Sequence, residues 1–174
     1  MANLLVIATD ASSGSHVGYY SSIYRRAAQQ FTPGQNWRIT GATIPFKRIN
    51  GTANVPIEVR IETDSSDKPS GTLAHANATA SIPTFTDVAY VSKTVTFTPF
   101  TLNANTKYWL VYKTSEDFGG DEYYFDKSGS QDTYSGGGHN FWISTSGVWS
   151  SITAVDGDMT ILGTVIPAGT FAAL

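Results

Sequence analysis

Three kinds of residue in this chain have the types and spacing to do chemistry: grouped carboxylates, histidines and aromatic rings. The carboxylate groups are Asp64 with Asp67, Asp117 with Asp121 and Glu122, and Asp156 with Asp158. Two carboxylates held about 5–10 Å apart across a cleft can hydrolyse a glycoside. Loop carboxylates, helped by backbone carbonyls, can instead hold calcium, a cation that prefers oxygen ligands. Neither Asp64–Asp67 nor Asp117–Glu122 has the EF-hand spacing with its Gly and terminal Glu. Asp is also frequent in turns, where its side chain hydrogen-bonds the local backbone. An ordinary turn is therefore the preferred reading of Asp64 and Asp67. A structural calcium there is the alternative, and no other cofactor is indicated.

The histidines, His16, His75 and His139, are far apart in sequence and sit in different contexts. Ser, His and Asp are all present, but no Gly-x-Ser-x-Gly elbow or comparable local signature accompanies them. His139 follows Gly136-Gly137-Gly138 and is expected in an exposed loop. The chain is read as a non-enzyme, with a hydrolase as a minor alternative.

Aromatic rings are abundant: 4 Trp, 9 Tyr and 9 Phe, each worth a large buried area. Rings beside loops can also stack on the apolar faces of sugars. Tyr19, Tyr20, Tyr124, Tyr134, Trp142 and Trp149 are the candidates, with Tyr124, Tyr134, Trp142 and Trp149 the preferred ligand-binding set. Core or interface packing is the stronger reading for these rings, and Phe97 and Trp109 are assigned to the core.

The elements that must position these residues are strands. In Val55–Thr63, Ile57, Val59 and Ile61 alternate with Glu58, Arg60 and Glu62, the pattern of a strand with one buried face. The turn formers Asp64 to Gly71 follow, with Pro69 and Gly71 expected to make the sharp turn. Trp37 to Phe46 alternates on either side of Gly41, which marks a bulge or bend. Asn50-Gly51 is a strong hairpin signal, so 37–48 and 55–63 are predicted to pair. Further strands are expected at Leu4–Ala8, 26–32, 94–98 (stopped by Pro99), Lys107–Thr114, Tyr123–Phe125 and Asp158–Val165. Residues 72–80 fit either a strand or an irregular segment. Phe141–Ile143 and Val148-Trp149 flank Ser146-Gly147 and are predicted to form a hairpin. Lys107–Thr114 is apolar on both faces, which suits a central strand covered on each side.

With 174 residues the chain suffices for one domain with a real core. Charged residues are only 14%, against about 25% in an average soluble domain, and Ser, Thr, Asn and Gly take much of the surface. A net charge of −3 without large Lys/Arg clusters argues against a nucleic-acid partner. Zero Cys excludes disulfides and thiolate metal sites. Leu4–Ala8 is too short for a signal-peptide core, and no run approaches the roughly 18 apolar residues of a membrane helix. Asn50-Gly51-Thr52 and Asn77-Ala78-Thr79 match the glycosylation pattern and are read as turns.

Regular short strands between turn signals predict an all-β single domain, a jelly-roll β-sandwich, with an up-and-down barrel as the lesser alternative. Four stretches carry a family likeness: Ala28-Gln29-Gln30-Phe31-Thr32; Val59 through Pro69-Ser70-Gly71-Thr72-Leu73; Leu102-Asn103-Ala104-Asn105-Thr106-Lys107-Tyr108-Trp109-Leu110-Val111; and Tyr134-Ser135-Gly136-Gly137-Gly138 with Trp149 and Asp158-Met159. Together they resemble the choice-of-anchor type of jelly-roll domain, found in bacterial surface proteins, with similar modules in phage structural proteins. The likeness covers most of 26–163. It implies a fold and a setting, and no catalytic residue.

On that division, residues 1–25 form an N-terminal strand and polar arm, 26–163 the sandwich, and 164–174 an apolar tail. Free apolar ends are unfavourable in water. Leu4, Val6, Ile166, Phe171 and Leu174 are therefore assigned to assembly, by packing on their own domain or by strand addition to a neighbour. The expectation is a structural protein of a larger particle, foremost a phage virion component such as a capsid decoration or a tail or fibre protein. Its partners would be further copies or other virion and surface proteins. A carbohydrate-binding module or glycan-binding adhesin is the alternative function, and an extracellular or cell-surface location the alternative to the virion.

Overall fold

A computed structural model of the chain describes residues 2–8, 16–20, 23–50, 55–114, 122–129, 134, 139–143, 148–152 and 156–167. Among the described residues there are fifteen strands and no helix. The first five are β1 (Ala2–Ile7), β2 (His16–Tyr20), β3 (Ile23–Phe31), β4 (Trp37–Asn50) and β5 (Ile57–Asp64). Then come β6 (Pro69–Leu73), β7 (Thr79–Ile82), β8 (Val91–Leu102), β9 (Tyr108–Lys113) and β10 (Glu122–Asp126). The last are β11 (Ser128–Gly129), β12 (His139–Ile143), β13 (Val148–Ile152), β14 (Asp156–Gly157) and β15 (Met159–Val165).

The pairings are antiparallel throughout and form two layers. One has the order β1-β15-β4-β8. The other has the order β13-β12-β3-β9-β5, with β6 and β7 both on the far side of β5. At one side β4 runs past its first layer: Phe46 to Asn50 pair with β10, β10 pairs with β2, and β2 pairs with the start of β3. The two layers are thereby hydrogen-bonded into one wrapped sheet. β11 and β14 form a separate short ribbon. The protein is an all-β sandwich in which early and late strands interleave in both layers.

The core lies between the layers, as strand alternation requires. Ile57, Val59 and Ile61 of β5, and Tyr108, Leu110 and Tyr112 of β9, meet Trp37, Ile39, Ile44 and Phe46 of β4 in one buried cluster. Ring pairs tie the layers together. Phe31 stacks on Trp37 with centroids 6.3 Å apart, and Tyr112 meets Phe46 edge-on at 5.4 Å.

The phase of burial changes partway along β4 and β8. Ile39 faces Phe100, but Gly41 faces Thr96, so three residues of β8 oppose Thr40 alone. The bulge moves the buried positions from Ile39 to Ala42 on β4 and from Phe97 to Phe100 on β8. The bend read at Gly41 is therefore real. A Cβ there would run into the Val95 carbonyl oxygen, so only Gly allows the close approach. Pro99 does not stop the strand. It sits exposed within the bulge of β8, where its missing N–H costs no ladder bond.

Two further expectations are corrected. β4 and β5 do not pair, because β4 lies against β8, β15 and β10, while β5 lies against β9, β6 and β7. Each buries its apolar face from the opposite side of the sandwich, and this burial outweighs the local Asn-Gly preference. Pro69 and Gly71 lie in β6 and not in the turn. The turn is Ser65–Lys68, with left-handed φ of 54° at Ser66 and 61° at Asp67. Residues 72–80 resolve into the end of β6, a turn at 74–77 and the start of β7.

Candidate functional site

The site is built on the outer face of the second layer. β9 has alternate side chains on two faces. Tyr108, Leu110 and Tyr112 enter the main core, while Trp109 and Val111 join Ala28 in a second buried cluster outside it. Trp149 of β13 packs over that cluster and is itself only partly buried. The β12–β13 hairpin places Trp149 opposite Trp142 and Trp142 opposite Arg26 in the backbone register, so the hairpin predicted from 141–149 is formed.

Beside Trp109 stands the β5–β6 turn. The Trp109 indole N–H donates to Asp64 Oδ1 at 2.8 Å, and the Asp67 backbone N–H donates to Asp64 Oδ2 at 3.3 Å. The Asp67 carboxylate accepts from the Lys107 ammonium, and this bond raises the Lys107 pKa above its ordinary value. Ser65 N–H donates to the Lys68 carbonyl at 2.8 Å, closing the turn. In the returning strand, Gly71 N–H donates to Glu62 at 2.8 Å and the Arg60 guanidinium to the Gly71 carbonyl at 3.0 Å. Gly71 has φ of 80°, which glycine alone adopts without strain. The Thr63 and Ser70 hydroxyls bond at 2.6 Å.

Together these parts leave a shallow groove of about 260 Å³ lined by Ser65, Lys68, Pro69, Ser70, Val148 and Trp149. It offers a ring, hydroxyls and an ammonium group. That is equipment for holding a polar ligand with an apolar face. The two Asp side chains read as a cation site are held by protein donors, namely the Trp109 indole, the Asp67 amide and Lys107. Among the described residues no three His, Asp or Glu side chains gather as a metal site.

The remaining candidates disperse. Tyr124 is a core residue and not a surface ring: it is 0% exposed, its hydroxyl donates to the Val55 carbonyl at 2.8 Å, and Phe85 lies 4.6 Å from it. Tyr134 is half-buried against the main core, and its hydroxyl accepts from Thr32 N–H at 2.9 Å. Trp142, His16, His139, Tyr19 and Tyr20 lie in strands, with side chains outside the described residues. His139 is thus in β12, not in a loop. His75 stacks on Phe100 at 5.4 Å, and its Nδ1 accepts from Asn77 N–H. Asp117 and Asp121 lie outside the described residues, as does the Glu122 side chain.

Asp156 and Asp158 are buried and structural in their contacts. Asp156 accepts from the Gln29 side chain at 3.2 Å and from Tyr134 N–H at 2.8 Å, and Gly157 N–H donates to Gln29 Oε1 at 2.7 Å. Asp158 pairs with Lys127 at 2.8 Å. Nearby, the Tyr112 hydroxyl donates to Asp126 at 3.1 Å. Burial and the charge of Asp126 push the Tyr112 phenol well above its ordinary pKa, and the same causes with Asp158 push Tyr90 up to about 12.

The terminal residues part ways. Leu4 is packed onto Gly163 in β15 of its own chain, whereas Val6 is 55% exposed. Ile166 is half-buried, its N–H donating to the Asn36 carbonyl at 2.8 Å, and it lines a cavity of about 540 Å³ with Gly34, Gln35, Asn36, Ala104 and Pro167. Phe171 and Leu174 lie outside the described residues. No helix among the described residues is long and apolar enough to cross a membrane.

Sequence reasoning passed over Lys68, Pro69 and Val148 in the groove, and it placed Trp109 simply in the core. The signal for Trp109 was the parity of Tyr108-Trp109-Leu110-Val111-Tyr112, which sends its ring to the face opposite the tyrosines. No protein-family model matches the chain, and no curated protein matches it either.

Proposed function

We propose that this protein is a non-enzymatic structural subunit that builds a larger particle by pairing the edge strand β1 with a second copy of itself. A phage virion component, as a decoration, tail or fibre protein, is the setting we favour. The observation that carries the reading is the character of that edge. β1 ends its layer, and among the described residues its backbone pairs with β15 alone. It reads Ala-Asn-Leu-Leu-Val-Ile, with no charge and no proline, and its one register shift lies between Asn3 and Leu5, which leaves Leu5 to Ile7 in regular pairing. Edge strands are normally guarded by charge, proline or a bulge that turns them away, because open N–H and C=O groups template another strand. Here the exposed side chains on and beside the edge are uncharged: the apolar Val6 at 55% and Val165 at 45%, with the polar Asn3 and Thr164. An antiparallel β1–β1 contact about a two-fold axis joins the two sandwiches through one self-complementary patch.

Light scattering of the chain over a concentration series tests this. The wild type is expected to form dimers or larger species, and Val6→Lys, which alters an exposed side chain, to remain a folded monomer. A wild type that stays monomeric throughout, or a V6K chain that assembles unchanged, overturns the proposal.

A second reading is favoured by the groove at Trp149, where a partly exposed indole is flanked by hydroxyls. On that reading the particle also carries a saccharide-binding function.

A further inference from the structure

We infer that the groove between the β5–β6 turn and Trp149 binds an acidic saccharide, with Lys68 selecting its carboxylate; this rests on the saccharide reading of the groove. Four charged side chains stand at the turn: Asp64, Asp67 and Lys68 on it, and Lys107 reaching it from just before β9. Three of them are engaged within the fold. Asp64 accepts from the Trp109 indole and the Asp67 amide, and Asp67 and Lys107 satisfy each other. Lys68 lines the groove and is exposed, and its ammonium makes no ion pair among the described residues. It is therefore the charge on this turn that a ligand can use.

The other walls fit the same ligand class. The Trp149 ring supplies an apolar surface for the C–H face of a pyranose, and Val148 extends that surface. The Ser65 hydroxyl, on an exposed residue, offers both a donor and an acceptor to sugar hydroxyls. The groove is shallow, which suits an oligosaccharide lying along it and not a small molecule enclosed by it.

The test compares tetragalacturonate with its fully methyl-esterified, neutral counterpart by titration calorimetry on the full chain. Tetragalacturonate is expected to bind more tightly than the ester, and its binding is expected to weaken with salt. Lys68→Gln alters only an exposed turn residue. It is expected to weaken tetragalacturonate about fivefold and the ester distinctly less. Trp149→Ala is expected to weaken both more than about tenfold, with circular dichroism confirming that the sandwich is intact. Equal binding of the two ligands, or an unchanged K68Q variant, overturns the selection of acid and leaves the saccharide groove standing. Failure of the wild type to bind either ligand overturns both.

Discussion

At the scale of single residues, the buried polar contacts decide more than the exposed ones. Tyr112 is enclosed in the core and donates its hydroxyl to Asp126, which is itself fully buried. Hydrogen bonds to charged acceptors contribute about 1.5–3 kcal/mol. Tyr112→Phe is therefore expected to lose about that much in urea unfolding, although it adds no cavity. The raised phenol pKa of Tyr112 also sets an alkaline limit. Below the ordinary phenol value of 10.0 the group is protonated in both states, so its contribution does not change with pH. Above that value the unfolded chain ionises while the folded one resists. Stability then falls as pH rises toward the folded pKa. Tyr112→Phe should show a shallower alkaline decline than the wild type; profiles of equal slope would contradict this assignment.

At the scale of elements, the bulge shared by β4 and β8 is the device on which burial depends. It changes the phase of both strands together, so that Ile39 and Ala42, and Phe97 and Phe100, all reach the core. Gly41 lies where the Val95 backbone leaves no room for a side chain. Gly41→Ala should force the strands apart and cost about 1–3 kcal/mol, read as a lowered Tm. An unchanged Tm would mean that the bulge relaxes freely. Gly41 was legible as a bend because the alternation of Trp37 and Ile39 resumes out of phase at Ala42. The bulge on β8 was not legible, because Pro99 is the strongest local stop signal and only its pairing with β4 keeps the strand going. The β5–β6 turn shows the same limit. Pro69 and Gly71 carry turn chemistry, yet the pairing of Asp64 with Pro69 starts the returning strand at Pro69 itself, after the turn has closed.

At the scale of the whole molecule, one core spans both layers, and the ring pairs Phe31–Trp37 and Phe46–Tyr112 cross it. The layers are also hydrogen-bonded to each other through β10 and β2. Neither layer can shed its partner without exposing this shared surface. Unfolding should therefore be a single transition, with tryptophan fluorescence and far-ultraviolet circular dichroism giving coincident urea curves. Separate midpoints would show that the layers melt independently.

Alternating apolar residues, frequent turn formers and the lack of any long helical pattern determined from sequence alone that the chain is an all-β sandwich with a central Lys107–Thr114 strand. Those are properties of local periodicity, which each strand carries within itself. Apart from the β12–β13 hairpin, which strands pair, and which faces meet, was decided only by the tertiary structure. Asn50-Gly51 favours a local hairpin, but burying Ile57, Val59 and Ile61 opposite β4 satisfies more apolar surface than pairing beside it. The candidate groove has the same origin. Asp64 and Lys68 are distant in the chain from Trp149 and share no motif with it. They become one surface because Trp109, facing away from the main core, binds Asp64 with its indole N–H and supports Trp149 with its ring.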